Sequence, residues 1–553
     1  MHDDEQVGRL YDLNQALQSG QFPVRIIQDL GFGYGYTLFN YYPPFIYYLA
    51  EIFVLLGFGY IAAIKIMIGL GFIFSAFFMY LFSRQYLSKY GALVAAVAYS
   101  YAPYHSVDVY VRGALPEFWS FVFVPAIFWS LKKLFDKNTS LYVLITAFMI
   151  SGLILTHNLV AMMSGMFIAI YFIFLLVQSQ KKKIFFFQFL ISGILGLLIS
   201  TSFWLPSFLE RDTTMINLLT KELADYKIHF VYLRQLWNSP WGYGGSLYGL
   251  EDGLSFQVGK VHIIGSIFAL FVAVWLIIKK KSAWSIIVLF AIFLVIATLM
   301  TTFYSEPIWN AVTLFSYIQF PWRFLLFSVF ASSFLLGAIL LLFKAEKIQI
   351  ILGTVFIIII IVLNKDYFTP EKYLPNVVDK NYTSADVIRW RTSIMSFEYV
   401  PQGVKTKVST TNTTIIDITK DEIAKSRFSV LKGDLKVVEI EDRPNYKKLQ
   451  VSGNGGVIRL NTFAYPQWQL FIDNKKVTYN DNNKLKLIEL SVPRGNHIIE
   501  VKFINTILET VGNSLSATSI IAILLYIMLT STRKKSQHKI KKADEKHTKQ
   551  KNN

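Results

Sequence analysis

The chain has 553 residues, 54% of them hydrophobic and only 16% charged, with a mean hydropathy of +0.42. Soluble proteins carry about a quarter charged residues, and the apolar residues here fall in blocks of about twenty, the length a helix needs to cross roughly 30 Å of hydrocarbon, so a soluble globular protein is excluded. The net charge of +18 does not mark a nucleic-acid binder: the tail from Arg533 supplies +7 alone (nine Lys or Arg, two acids), and most of the rest lies in short loops between apolar blocks, where membrane topology and anionic lipid place it.

The N-terminal stretch HDDEQVGRLYDLNQ is polar and lacks the apolar core of a signal peptide. Its run His2-Asp3-Asp4-Glu5 sets three acids beside a predicted membrane surface. Clustered carboxylates raise one another's pKa and suit a general base or a metal ligand, although a solvated acidic terminus explains the composition as well. Block 41–58 (YYPPFIYYLAEIFVLLGF) is opened by Pro43 and Pro44, interrupted by Glu51 and tied to the next span by a three-residue link. It reads as an interfacial juxtamembrane helix rather than a crossing.

About eleven spans follow, at 62–83, 90–104, 115–135, 140–156, 159–178, 184–204, 261–278, 283–303, 324–343, 348–364 and 511–531. If 41–58 does not cross, the basic connections 83–89, 132–137, 178–183, 279–282 and 344–347 and the tail all fall on one side. Short Lys/Arg-rich loops stay cytoplasmic, so the other side is external. That side collects 1–60, 104–116, 206–260, 304–323 and 365–510. It also receives the N-terminus with no helix before it, which implies a further transmembrane helix ahead of residue 1.

Three more external constellations stand out. Segment 103–119 (PYHSVDVYVRGALPEFW) sets His105, Asp108, Arg112 and Glu117 in or against a span, where ionisable groups are costly and are functional or paired; an Arg112–Glu117 or Arg112–Asp108 ion pair is the structural alternative. Arg323, after Gln319-Phe320-Pro321-Trp322 at the outer start of a helix, can hold a lipid phosphate or anchor the interface. His157 occupies the tight turn Thr156-His157-Asn158, where helix capping is the plain alternative. The Gly-rich runs 31–36 and 241–249 do not lie between a strand and a helix and are no nucleotide fingerprint.

Segment 365–510 changes character. Strand-like alternation in KTKVSTTNTTIIDI, DLKVVEIED, KKLQVSG, GGVIRLNT, WQLFID, LKLIELSV and HIIEVKF, broken by Asn-Gly, Gly-Asn and Asp-Asn turn signals, predicts an antiparallel β-sandwich-like domain. The chain thus divides into an external loop (1–60), a helical membrane domain (61–364), a β-rich domain (365–510), a final helix (511–531) and a basic cytoplasmic tail (532–553).

The opening HDDEQVGRLYDLNQALQSGQFPVRIIQDLGFGYGYTLFNYYPPFIYYLAE, with DVYVRGALPEFWSF, LTHNL, QFPWRF and YPQWQLFIDNKKV...VPRGNHIIEVKF, resembles bacterial GT-C-type membrane proteins, and more narrowly the 6-pyruvoyl-tetrahydropterin synthase-related membrane family. The resemblance covers nearly the whole chain and is carried by the order and spacing of its segments. It implies a multi-pass protein of the bacterial plasma membrane that moves a sugar from a polyprenyl-phosphate carrier to a glycan, lipid or protein acceptor on the outer face. Nothing here resembles the zinc site of a soluble pterin synthase. By that resemblance Asp3 or Asp4 is the catalytic base, with Glu5 beside them as a third ligand if a divalent metal takes part; Arg112 and Arg323 would hold the carrier phosphate, with His105, Glu117 and His157 in support. The alternatives are a lipid-linked glycan flippase, against which the absence of internal repeats argues, and a non-catalytic envelope scaffold.

Overall fold

The computed structural model describes residues 3–218, 225–409 and 414–551, with side chains as far as 530. His2 and the side chains of the basic tail lie outside the described residues. In chain order, α1 (Gln6–Gln18) and α2 (Phe45–Leu55) precede the bundle. The membrane bundle is α3 (Tyr60–Ser83), α4 (Lys89–Ser100), α5 (Leu115–Lys137), α6 (Ser140–Thr156), α7 (Asn158–Gln178), α8 (Lys182–Ile199), α9 (Thr201–Leu209), α10 (Lys260–Ile278), α11 (Trp284–Thr301), α12 (Leu325–Ala338) and α13 (Glu346–Asn364), closed by α14 (Ile507–Lys551).

Every predicted span coincides with a helix, and nine helices among the described residues are long and apolar enough to cross a membrane. The span predicted at 90–104 is shorter than expected. α4 ends at Ser100, because Pro103 cannot continue it and biases Ala102 to an extended conformation (φ −68°, ψ 141°). The span predicted at 184–204 is divided at Ser200 between α8 and α9. α2 stops at Leu56 and leaves Ile52, Leu55 and Leu56 exposed, the disposition of a helix lying in an interface.

The bundle's centre is aromatic: Phe82 packs on Phe128, Phe290, Phe330 and Phe334 at centroid distances of 5.4–5.8 Å. α4 and α12 meet backbone to backbone through Gly91 and Gly337, where a Cβ on either residue would strike the other's carbonyl oxygen, the close approach that small residues permit between membrane helices.

The β domain holds a two-stranded sheet, β1 (Thr406–Val408) with β2 (Thr414–Ile416), and a six-stranded antiparallel sheet of β3 (Phe428–Lys432), β4 (Leu435–Arg443), β5 (Tyr446–Phe463), β6 (Trp468–Ile472), β7 (Lys475–Val477) and β8 (Leu487–Phe503). The turn signals Gly453-Asn454-Gly455-Gly456 and Gly495-Asn496 do not end strands. They face each other in mid-sheet, Gly453 opposite Gly495, and KKLQVSG with GGVIRLNT forms the single strand β5 while LKLIELSV with HIIEVKF forms β8. The long strand pair therefore serves β4 with one half of β5 and β3 with the other.

Polar contacts fix the N-terminal segment to this domain and its lead-in. Asp29 pairs with Arg389 at 2.8 Å and Arg427 at 3.1 Å. Asp379 caps α3 by accepting from the amides of Tyr60 (2.8 Å) and Ile61 (2.9 Å).

Candidate active site

Past Pro103 the chain takes one α-helical turn and then a π-helical turn, Val107–Arg112, ended by Gly113 in the left-handed region (φ 70°). The π turn stacks Asp108 and Arg112 as an ion pair, and such turns concentrate at functional sites. α5 starts two residues later at Leu115 and carries Pro116 and Glu117 in its first turn, where a helix N-terminus favours a carboxylate.

Glu117 is 1% exposed and is the hub of the cluster. Its Oε2 meets Arg112 Nη2 at 2.8 Å and Arg323 Nε at 3.0 Å, and its Oε1 accepts from the Tyr104 hydroxyl at 2.6 Å. The Arg112 guanidinium lies over Trp322 at 4.5 Å, and Arg323 over Phe320 at 5.0 Å, so aromatic faces cover both cations. Arg323 Nη1 also donates to the carbonyl of Ile318 at 2.5 Å. His157 does cap α7, its Nδ1 accepting from the Val160 amide at 3.2 Å. That bond leaves the proton of a neutral ring on Nε2, which stands 4.0 Å from Glu117 Oε2.

Both ion pairs weighed from the sequence thus exist together, and Arg323 and His157 join them. His105 does not. Its ring stacks on Phe121 at 4.0 Å with Phe118 and Phe72 around it, and its Nδ1 meets the Tyr99 carbonyl at 3.1 Å, so it sits within an aromatic box beside the cluster. Tyr104, its neighbour in sequence, is the group that sequence reasoning passed over. The signal was its place in the charged segment; a tyrosine among many gives no other.

The acidic N-terminus reaches the same place. The Asp3 amide donates to the Arg112 carbonyl at 2.7 Å, while the half-buried Asp3 carboxylate has no hydrogen bond or ion pair among the described residues. Asp4 pairs with Arg391 at 2.6 Å on the surface, and buried Glu5 pairs with Arg9 at 2.8 Å. Burial pushes the Glu5 carboxyl up to about 8 against the pull of Arg9, with Asp3 and Glu398 adding to the rise. Of the three carboxylates considered as a metal set, Asp4 and Glu5 are therefore committed to different arginines, and among the described residues no group of three His, Asp or Glu is arranged to hold a metal ion.

Residues 39–370 match the family profile described as "6-pyruvoyl-tetrahydropterin synthase related domain; membrane protein". An uncharacterized protein of Lactococcus lactis subsp. cremoris is 24% identical over 180 residues, 32% of this chain and 29% of that one, so the match spans under a third of that relative's length. The apo crystal structure of the Archaeoglobus fulgidus oligosaccharyltransferase superposes with a TM-score of 0.38 at 13% identity, covering 72% of this chain and 57% of that one. The matched range includes the bundle from α2 to α13 and every residue of the cluster around Glu117: the chain belongs to the 6-pyruvoyl-tetrahydropterin synthase related family of membrane proteins.

Proposed function

We propose that the protein is a GT-C-type membrane glycosyltransferase that moves a sugar from a polyprenyl-phosphate carrier to an envelope acceptor at the external face of a bacterial plasma membrane. The observation that carries this reading is that the Asp3 amide donates to the Arg112 carbonyl, which brings an acidic residue with an uncommitted carboxylate to the segment where Arg112 and Arg323 share Glu117. A guanidinium has five N–H donors. Among the described residues Arg323 Nη2 makes no hydrogen bond, so this arginine keeps a donor for phosphate while Glu117 holds it in position.

In this reaction the acceptor's O–H or N–H proton passes to Asp3 as its heteroatom bonds to the anomeric carbon. The bond from that carbon to the carrier phosphate breaks and its electron pair leaves on the phosphate oxygen, where the arginines stabilise the growing charge. Glu117 and Tyr104 are positioning residues.

Asp3 and Asp4 separate cleanly. Asp3→Ala keeps the amide bond to Arg112 and removes the base, so transfer from labelled polyprenyl-phosphate sugars in reconstituted membranes should fall by about 10²- to 10⁴-fold. Asp4→Ala loses one surface ion pair and should stay near wild type. Donor binding without turnover, identical in wild type and both variants, would overturn the transferase reading and favour lipid transport or a scaffold.

A further inference from the structure

Four arginines are almost fully buried among the described residues, and three of them meet a carboxylate: Arg9 meets Glu5, while Arg112 and Arg323 meet Glu117. Arg25, 3% exposed, forms no ion pair with any described residue. Its Nη1 donates to Asn40 Oδ1 at 2.9 Å, and its Nη2 to the Ser202 carbonyl at 2.8 Å and Asn513 Oδ1 at 2.7 Å, all neutral acceptors. Its Nε has no partner. Buried Glu509 is linked to it through Asn40, which donates to Glu509 Oε1 at 2.6 Å; the other Glu509 oxygen accepts from the Thr506 amide. Buried charges are ordinarily paired, so this guanidinium lacks a bonded anion.

Arg25 instead lines a cavity of about 450 Å³ between the loop after α1, the turn before β5 and the chain entering α14. Asn445, also in its lining, has a buried Oδ1 with no donor. The cavity thus offers a cationic donor and a lone acceptor. Its rim carries two exposed apolar side chains, Phe22 (78% exposed) and Ile504 (41%), and adjoins the first turn of α14, whose segment Ile507–Thr530 is long and apolar enough to cross a membrane. The end of such a span is the level at which lipid head groups lie.

We propose that this cavity binds the phosphodiester of a membrane phospholipid with a hydroxylated head group. The phosphate rests on Arg25, the head-group hydroxyl donates to Asn445, and the acyl chains pass over Phe22 and Ile504 into the bilayer. The cavity is separate from the Glu117 cluster, and the proposal stands whether or not the protein transfers sugars.

The test uses the full chain, delipidated and returned to nanodiscs of phosphatidylcholine with a minor share of phosphatidylglycerol, with retained lipid counted by native mass spectrometry. Wild type should retain one phosphatidylglycerol in preference to phosphatidylcholine, and Arg25→Gln should lose that preference by about tenfold or more. Because Arg25 is buried and its replacement can disturb folding, Thr510→Trp serves as the second variant: it fills the cavity from an exposed position on α14 and leaves Arg25 in place. Equal retention by wild type and a folded variant would overturn the site. Displacement of the lipid by millimolar glycerol phosphate would show that the cavity takes a soluble phosphate, and would overturn the lipid assignment.

Discussion

Glu117 receives two guanidinium groups and a tyrosine hydroxyl, so neutralising it strands the buried Arg323 and leaves Arg112 with Asp108 alone. Removing one partner of a buried ion pair costs about 3–5 kcal/mol, and Glu117→Gln should lower the melting temperature in detergent by a corresponding amount. Asp4→Ala breaks an exposed pair and should cost under ~1 kcal/mol. A melting curve for Glu117→Gln equal to wild type would mean that the cluster is not the hub described. Asp12 gives a pH signature. It is fully buried, accepts from the Leu30 amide at 2.9 Å, and burial raises its carboxyl to about 8. In the unfolded chain it ionises near pH 4. Between those values the folded state holds the extra proton, so stability declines as pH rises, in full below about 4 and exhausted above about 8. Asp12→Asn should flatten the stability profile between pH 5 and 8; a slope unchanged from wild type would place the titration elsewhere. At this scale the sequence was legible where partners are near neighbours. Arg112 lies four and five residues from Asp108 and Glu117, and ion pairing there could be weighed directly. Arg323 meets Glu117 across 206 residues, and no pattern in one sequence encodes such a meeting.

Helices were the easiest elements to read, because an apolar block of twenty residues has few other uses. The proline at 103 was visible too, yet its effect was not: it ends α4 early and releases the chain into the π turn that carries Asp108 and Arg112. The sheet was read in its parts and misread at its joints. Gly453-Asn454-Gly455-Gly456 has the composition of a turn, but the same freedom at φ lets a long strand bend, and only the register across β5 and β8 distinguishes the two. Gly456 is where that packing is tightest. A Cβ there would overlap the Lys432 carbonyl oxygen at the end of β3, and overpacking of this kind costs about 1–3 kcal/mol. Gly456→Ala should therefore lower the melting temperature and open the β3–β5 edge to protease, while unaltered proteolysis would show the backbone yielding freely.

The whole molecule divides by charge. Its basic connections gather on one side of the bundle and its β domain and acidic cluster on the other, which predicts a cytoplasmic face for the first and an external face for the second. The chain has no cysteine, so single replacements report cleanly. On intact cells a membrane-impermeant maleimide should label Tyr248→Cys, at an exposed position of the loop between α9 and α10, and spare Lys280→Cys in the basic turn after α10. The reverse pattern would invert the topology and remove the site from the side where the proposed reaction needs it.

The bond between Asp29 and Arg427 joins residues 398 apart in sequence. Asp29 is made among the first segments of the chain, whereas Arg427 arrives after all the helices through α13. At about 5–20 residues per second, synthesis alone separates them by roughly 20–80 s. On the topology predicted from the basic connections, the N-terminal segment stands outside the membrane during that interval with this ion-pair partner not yet made. A nascent chain halted in the bundle would expose that segment to surface proteases, and one that completes the β domain would bury it, so the same contact distinguishes finished molecules from unfinished ones.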